Sequence, residues 1–566
     1  MKKLKWEKKL VKHIIIALFI MLFITGSVVG QPLETSLQYP QPSAVITSLS
    51  ASELAEKIKI GELTAQEVTE AFIHRIEEVN PKINAVIIPV FNEARAQAIE
   101  ADQKQARGEP LSPLHGVPVT IKEQYRVAGT QTTLGATSKI GNVYHDEGPL
   151  VKKLREAGAI ILGKTNVTQT LAGWEADNRV YGRTNNPWNL NRTSGGSSGG
   201  EAAIIAAGGS PLGLGGDLGG SIRIPSHFCG VNGIKPTSYR LTNDDFSPGL
   251  LGNGQELFIP QPGPMARTVA DLELAMKIFA ETSGELSGDL VPPVPWSDPE
   301  NIQIEGLRVG MYKDNGYFTA SPALRRAVEE AADALRGKGA IVEPITPPDA
   351  AEGIRLFLGA VTAGGGEHFK ELLGDEKPIP QLDGMFQGLG KPPFVLSIVQ
   401  KIMEARGQHF MAYQAQCIRS LSTIDYWNLV EDRNDYRARF LQTMDEGNFD
   451  VIICPPAALP ALTHGSSGHL FPAFTYSFVY NVLGAPAGVV AATRVRPGEE
   501  SDREVTMDMA DITAFEVERG SAGLPVGVQV ISRYWREDIV LAVMSTLEEH
   551  FRTTPDYPEN PVLVSD

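Results

Sequence analysis

The sequence predicts an α/β protein, a single large domain in which helices cover both faces of a mixed central β-sheet. Short apolar runs of strand length alternate along the chain with amphipathic stretches of helical period, the succession that lays helices on a sheet. Of the 566 residues, 42% are hydrophobic and 21% charged, which is globular composition with enough apolar content for a large core. The 56 glycines and 39 prolines fall between apolar segments and form no periodic tract, so they read as turns and loops.

The chain opens with six lysines (Lys2, Lys3, Lys5, Lys8, Lys9 and Lys12) ahead of the unbroken apolar run Ile14 to Ile24 and the small-residue stretch TGSVVG. That is a signal-peptide layout. The run is shorter than the roughly 20 apolar residues of a spanning helix, and extending it through Val29 gives only a marginal span. Residues 1–30 are therefore expected to be a signal peptide or an N-terminal membrane anchor, making the protein exported (periplasmic or extracellular) or membrane-anchored. A Pro/Ser-rich linker follows over 31–45, and the globular domain is expected over 46–556.

That domain begins with two helices, each announced by a capping box, Ser50 with Glu53 and Thr64 with Glu67. In the second, Val68, Phe72, Ile76 and Val79 recur at helical spacing. Val117 to Ile121 reads as a strand, a helix ends near Ala157, and Ala159 to Leu162 reads as a buried strand. Further strands are expected at Leu307 to Met311, Val451 to Cys454 and Pro525 to Ile531. Residues 283–305 read as a surface connection. The apolar stretch within 380–411 reads by default as a core helix, with a lid or membrane-facing cap as the sharper alternative.

The formal net charge is −16, and the lysine-rich leader makes the remainder more acidic still. Such a surface repels phosphate backbones, so nucleic acid is not an expected partner. Cys229, Cys417 and Cys454 are widely spaced without any CxxC pairing, which argues against a disulfide framework or a zinc site. No HExxH or clustered ligand set occurs, and neither a metal nor a cofactor is expected.

Chemistry concentrates in residues 193–237, TSGGSSGGEAAIIAAGGSPLGLGGDLGGSIRIPSHFCGVNGIKPT. Glycine loops cradle phosphate, permit close packing or present main-chain N–H groups to an oxyanion. Neither GxxxxGK[ST] nor GxGxxG with its helix fits, so nucleotide binding drops out. Packing alone does not account for Ser197, Ser198 and Ser221 at glycine-flanked corners. Gly196 to Gly200 matches GxSxG, but a nucleophile elbow needs an apolar strand before it, and RTNNPWNLNRTSG is polar and loop-like. Ser197 and Ser198 instead read as the opening of a helix. A Ser-His-Asp arrangement through His227 or His115 finds no support in spacing.

The segment ending GGDLGGSIRIPSHFCGVNGIKPT resembles the amidase signature. The resemblance continues in HGVPVTIKE (His115 to Glu123), GKTNVTQTL (Gly163 to Leu171), LGAPAGVV (Leu483 to Val490) and GLPVGVQVI (Gly523 to Ile531), five blocks in order across nearly all of residues 50–550. It implies the amidase signature fold and amide hydrolysis by a Ser-Ser-Lys triad. Ser221 then falls on the nucleophile, Ser197 on the bridging serine after a cis peptide at Gly196–Ser197, and Lys122 on the base. The amides of Leu218, Gly219, Gly220 and Ser221 fall on the oxyanion hole, with Ser198, Asp217 and Arg223 in support. A lysine base must lose its charge near neutrality, so its pKa has to fall from about 10.4 to roughly 7 or 8, which burial after an apolar strand supplies.

Within the family the wording is most similar to the fatty acid amide hydrolase branch. That implies an acyl channel lined by Leu171 and Ser197, covered by 380–411. The expected partner is a small-molecule amide, with a lipid amide, contact with a membrane surface and a homodimer left open. The alternatives are an amidotransferase-type subunit that releases ammonia, a general short-chain amidase, and an idle binding protein on the same fold.

Overall fold

The computed structural model describes residues 43–244, 255–280 and 291–559. The leader predicted over 1–30 lies outside the described residues, as do most of the linker and the first part of the 283–305 connection. Residues 43–45, assigned to the linker, instead open helix α1 (Ser43–Ser48). Both capping boxes form: Ser50 and Glu53 start α2 (Ala51–Lys59), and Thr64 and Glu67 start α3 (Ala65–Ile83). Each cap satisfies main-chain donors that the first turn of a helix leaves unpaired. Val68, Phe72, Ile76 and Val79 are all buried along one face of α3.

The main sheet has eleven strands. In chain order they are β1 (Val86–Pro89), β2 (Pro118–Lys122), β3 (Ile160–Thr165), β4 (Leu212–Asp217), β5 (Asn232–Lys235), β6 (Gln261–Ala266), β7 (Arg308–Met311), β8 (Ile341–Pro344), β9 (Val451–Cys454), β10 (Ala487–Arg494) and β11 (Pro525–Ser532). Across the sheet they run β1-β3-β2-β4-β6-β5-β10-β11-β9-β7-β8. Strand β2 lies parallel to β3 and β4, and β7 lies parallel to β8 and β9, whereas the central ladders β4-β6-β5-β10-β11-β9 are antiparallel. The sheet is therefore mixed, as the sequence predicts. The strands expected from apolar runs all appear, with ends displaced by at most three residues, and all three cysteines are free and buried.

Side-chain alternation on β10 and β11 shows how both faces are covered. A Cβ on Gly488 would strike Met544 and Val540 of the C-terminal helix Glu537–Phe551. Gly527 pairs with Ala491, on the other face, and a Cβ there would meet His227 in the short helix Arg223–Cys229. One alternating strand pair thus carries a helix on each side.

The remaining helices that matter to the site are α4 (Gly199–Ala206), α5 (Arg223–Cys229), α6 (Ala350–Thr362), α7 (Pro380–Gly388), α8 (Pro393–Ala405), α9 (His409–Cys417) and α10 (Thr475–Leu483). Ser198 sits at the N-cap position of α4, so the serine pair does open a helix. Its polar lead-in is not a loop, however. Asn189–Thr193 forms a strand paired with Asn185–Asn186 in a separate two-stranded ribbon. Asn186 holds that ribbon by donating its side-chain N–H to the carbonyls of Thr193 and Phe228, a polar tie that hydrophobic alternation does not signal.

Candidate active site

Lys122 is the last residue of β2, and Asp217 the last of the parallel neighbour β4. The site therefore lies at the carboxyl ends of adjacent parallel strands, where open α/β sheets place their ligand crevices. Lys122 Nζ lies 2.8 Å from Ser197 Oγ and donates to Gly216 O at 3.0 Å. The Gly196–Ser197 peptide is cis, as the family resemblance implies. Ser198 N–H donates to Ser221 O at 3.2 Å, and the Ser198 hydroxyl lies 3.3 Å from both the carbonyl and the amide of Gly216. Ser198 therefore ties the α4 entrance to the end of β4. Among the described residues no hydrogen bond joins the Ser197 and Ser221 hydroxyls, so the side chains close the lysine half of the relay. Lys122 and Ser197 are 1% and 2% exposed and Ser221 7%, which leaves Ser221 the most open of the three on their common cavity.

The loop after β4 is clamped from both sides. The Asp217 carboxylate accepts from the amides of Gly220 (2.7 Å) and Ile222 (3.1 Å), from Arg223 Nε (2.9 Å) and from Asn481 Nδ2 on α10 (2.9 Å). Arg223, fully buried, also donates to Ser477 O at 2.8 Å and Gln529 Oε1 at 2.7 Å. Burial alone would raise the Asp217 carboxyl, but Arg223 and Asn481 overcome it and hold the group well below the usual carboxylate range. From the cavity side Trp174 Nε1 donates to Gly219 O at 2.9 Å. Gly220 has φ +101, and a Cβ there would press on Ile224 and Ser477 at 2.9 Å, so the turn requires glycine.

This geometry corrects one expected oxyanion donor. The Gly220 N–H is already given to Asp217, because the carboxylate folds back over the turn three residues on. Among the described residues the amides of Leu218, Gly219 and Ser221 make no hydrogen bond to protein, and all three residues line the cavity.

Burial, only partly offset by the carboxylates of Asp217, Glu201 and Glu123, pulls the Lys122 pKa down to about 7. Glu123 faces away, accepting from Thr133 Oγ1 at 2.8 Å and Leu134 N at 3.0 Å. Glu201 on α4 lies beside the strand pair, bonded to Thr120 and, at 2.7 Å, to Thr165. Its carboxyl fills the space where a Cβ of Gly213 would stand. Burial raises it to about 7 against the pull of those hydroxyls and of Lys122.

The cavity encloses about 570 Å³, within the ordinary range of small-molecule sites. Leu171 lines it beside Trp174, whose ring stacks on Phe474 at 4.2 Å. Phe357 of α6 lies over Gly219, and Leu382, Val395, Val399 and Met403 close the outer wall from α7 and α8. The 380–411 segment is thus a cover of separate helices over the cavity and not a core helix. Its outer face carries Phe394 (67% exposed), Ile398 (54%) and Ile402 (48%), four residues apart on α8.

Neither histidine joins this chemistry. His227 Nδ1 accepts from Gly527 N–H at 3.0 Å and Nε2 donates to Leu459 O at 3.0 Å, and burial lowers its pKa to about 4. His115 is occupied with Ala101 O. No group of three or more His, Cys, Asp or Glu side chains suited to a metal ion occurs among the described residues.

The chain belongs to the amidase family, whose profile matches residues 67–541, and is an amide hydrolase. It is 32% identical over 520 residues to fatty acid amide hydrolase 1 of Caenorhabditis elegans, covering 89% of this chain and 88% of that one. It is 31% identical to an acetamidase of Aspergillus oryzae, with 92% of each chain covered. Among solved structures, a fatty acid amide hydrolase superposes with a TM-score of 0.79 at 28% identity, covering 91% of this chain and 87% of the other.

Asn481, Gln529 and Glu201 are not among the site residues that the sequence points to. Gln529 carried the clearest signal, a polar residue inside the apolar strand PVGVQVIS.

Proposed function

We propose that this amidase cleaves carboxylic amides through a Ser221–Ser197–Lys122 relay and an acyl-enzyme, and that long-chain acyl amides are its substrates. The observation that carries the relay is a fully buried lysine with a pKa near 7, 2.8 Å from a serine hydroxyl on the cavity that Ser221 also lines. A neutral Nζ accepts the Ser197 proton while Ser197 takes that of Ser221, whose Oγ bonds to the carbonyl carbon. The amides of Leu218, Gly219 and Ser221 receive the developing oxyanion. The proton returns through Ser197 to the departing nitrogen as the C–N bond breaks, and water then hydrolyses the ester by the same route.

Apolar walls on α6, α7 and α8 and likeness to fatty acid amide hydrolases support a long acyl chain. At about 0.8 kcal/mol per buried CH₂, four further carbons favour the longer substrate by on the order of a hundredfold in kcat/KM. Comparing acyl amides of increasing length checks this, and a preference for acetamide, in line with the acetamidase relative, rejects the lipid reading.

The same reading places the outer stripe of α8 on a bilayer. One face of that helix lines the cavity, so the exposed Phe394, Ile398 and Ile402 bring the covered site to the surface where lipid amides reside. Cosedimentation with phosphatidylcholine vesicles is expected to fall at least several-fold in the triple variant Phe394→Glu, Ile398→Glu, Ile402→Glu. Undiminished binding removes the stripe from any membrane role.

A further inference from the structure

We propose that Trp174 is a positioning residue for amide cleavage: by holding the Gly219–Gly220 peptide it aims the amides on either side of that peptide at the oxyanion, a role that rests on the relay described above. Trp174 Nε1 donates to Gly219 O at 2.9 Å, the one hydrogen bond that this carbonyl makes among the described residues. The other end of the same peptide, Gly220 N–H, donates to Asp217 at 2.7 Å. A peptide unit is planar, with its N–H and C=O on opposite edges, so this one is gripped from both sides. The open amides of Gly219 and Ser221 belong to the peptides immediately before and after it, and both residues line the cavity.

The grip is needed because the chain has little stiffness of its own here. Glycine stands on both sides of the peptide, and without a Cβ at either position the plane turns over at small steric cost. The torsions at Gly219 and Gly220 also set the direction of the flanking amides, so a plane free to turn leaves those donors unaimed. An unclaimed Gly219 carbonyl would further place the negative end of a dipole on the wall that receives negative charge. Donors stabilise an oxyanion most when nothing has to reorganise as the charge develops.

Trp174 is itself fixed. Its ring stacks on Phe474 at 4.2 Å and meets Phe471 edge-on at 5.4 Å. The next residue, Glu175, is buried, and its carboxylate anchors the backbone by accepting from the amides of Gly465 at 2.8 Å and Ser467 at 3.0 Å. Ala176 N–H donates to Gly195 O at 2.8 Å, and a Cβ on Gly196 would stand 2.9 Å from the Trp174 carbonyl carbon. The segment that holds the oxyanion turn therefore packs directly against the one that presents Ser197, so donors and proton carrier share one brace.

Two substitutions separate the hydrogen bond from the packing. Trp174→Phe keeps an aromatic ring against Phe474 and removes the N–H, whereas Trp174→His gives up the larger ring and keeps a ring N–H, on Nε2, the same number of bonds from Cα. The readout is the inhibition constant of a trifluoromethyl ketone, whose adduct with Ser221 carries the oxyanion, beside that of the methyl ketone with the same acyl chain, which binds without adding. Neither constant depends on the fraction of enzyme that is folded, so a partly unfolded variant remains informative. Trp174→Phe is expected to weaken the trifluoromethyl ketone by roughly 10- to 100-fold, in step with its loss in kcat/KM, and the methyl ketone by less than about threefold. Trp174→His is expected to recover part of the difference. Equal weakening of both ketones, an unchanged trifluoromethyl ketone, or a histidine variant no better than the phenylalanine one overturns the assignment while leaving the relay standing. Equal affinity of the trifluoromethyl ketone for wild type and Ser221→Ala overturns the relay and this inference with it.

Discussion

Replacing Ser221 with alanine is expected to lower kcat/KM for every amide substrate by roughly 10⁴-fold or more and to abolish labelling by a fluorophosphonate probe. The loss is chemical. Among the described residues the Ser221 hydroxyl makes no hydrogen bond, and Asp217 holds the surrounding turn through Gly220, Ile222 and Arg223, none of which the substitution touches. The melting temperature should therefore stay close to wild type, and a folded, unlabelled, inactive protein is the signature sought. Residues that act as a unit are not additive. The double variant Ser197→Ala, Ser221→Ala should accordingly be no slower than Ser221→Ala alone. Retention of more than a few per cent of activity would falsify the assignment and move the nucleophile to Ser197 or Ser198, the other hydroxyls on this loop pair.

Much of this site was legible because its signals are local. A lysine after an apolar strand reads by itself as an ordinary surface residue; the matched amidase-signature blocks are what mark Lys122 for burial, and it is 1% exposed. Two capping boxes fixed the starts of α2 and α3, since each uses four consecutive residues. What the sequence hid are contacts made at long range or by main chain folding back on itself. Glycine-flanked residues at 218–221 all look alike as oxyanion donors, and only the turn geometry shows the Gly220 amide taken by Asp217. Trp174 reaches Gly219 across 45 positions, and Arg223 reaches Gln529 across 306. The segment 380–411 stayed ambiguous for a different reason. On α8, Val395, Val399 and Met403 face the cavity while Phe394, Ile398 and Ile402 face out. With both faces apolar, periodicity does not say which one is covered.

Lys122 sets the second large expectation, the pH dependence. Its pKa is lowered to about 7 by burial. The base form exists only above that value, so kcat/KM should climb about tenfold per unit below pH 7 and level off above it. Lys122→Met should lose roughly 10²- to 10⁴-fold at the plateau and lose the limb. Stability moves with the same proton. In the folded state Lys122 sheds its proton near pH 7, whereas in the unfolded chain it keeps it to about 10.4, so the unfolded state binds more protons between those values. The penalty for burying the ammonium is therefore complete below pH 7 and relieved as pH rises toward 10.4. Lys122→Met should gain most over wild type in acid. Glu201 lies close enough to act on Lys122 and is itself raised to about 7, so the two titrate as a pair and a measured limb belongs to both. Glu201→Gln separates them. Removing an acid that favours the ammonium should shift the limb to lower pH while preserving its slope, whereas an unmoved limb assigns it to Lys122 alone. A limb that survives in Lys122→Met belongs to another group, and the lysine is then no base.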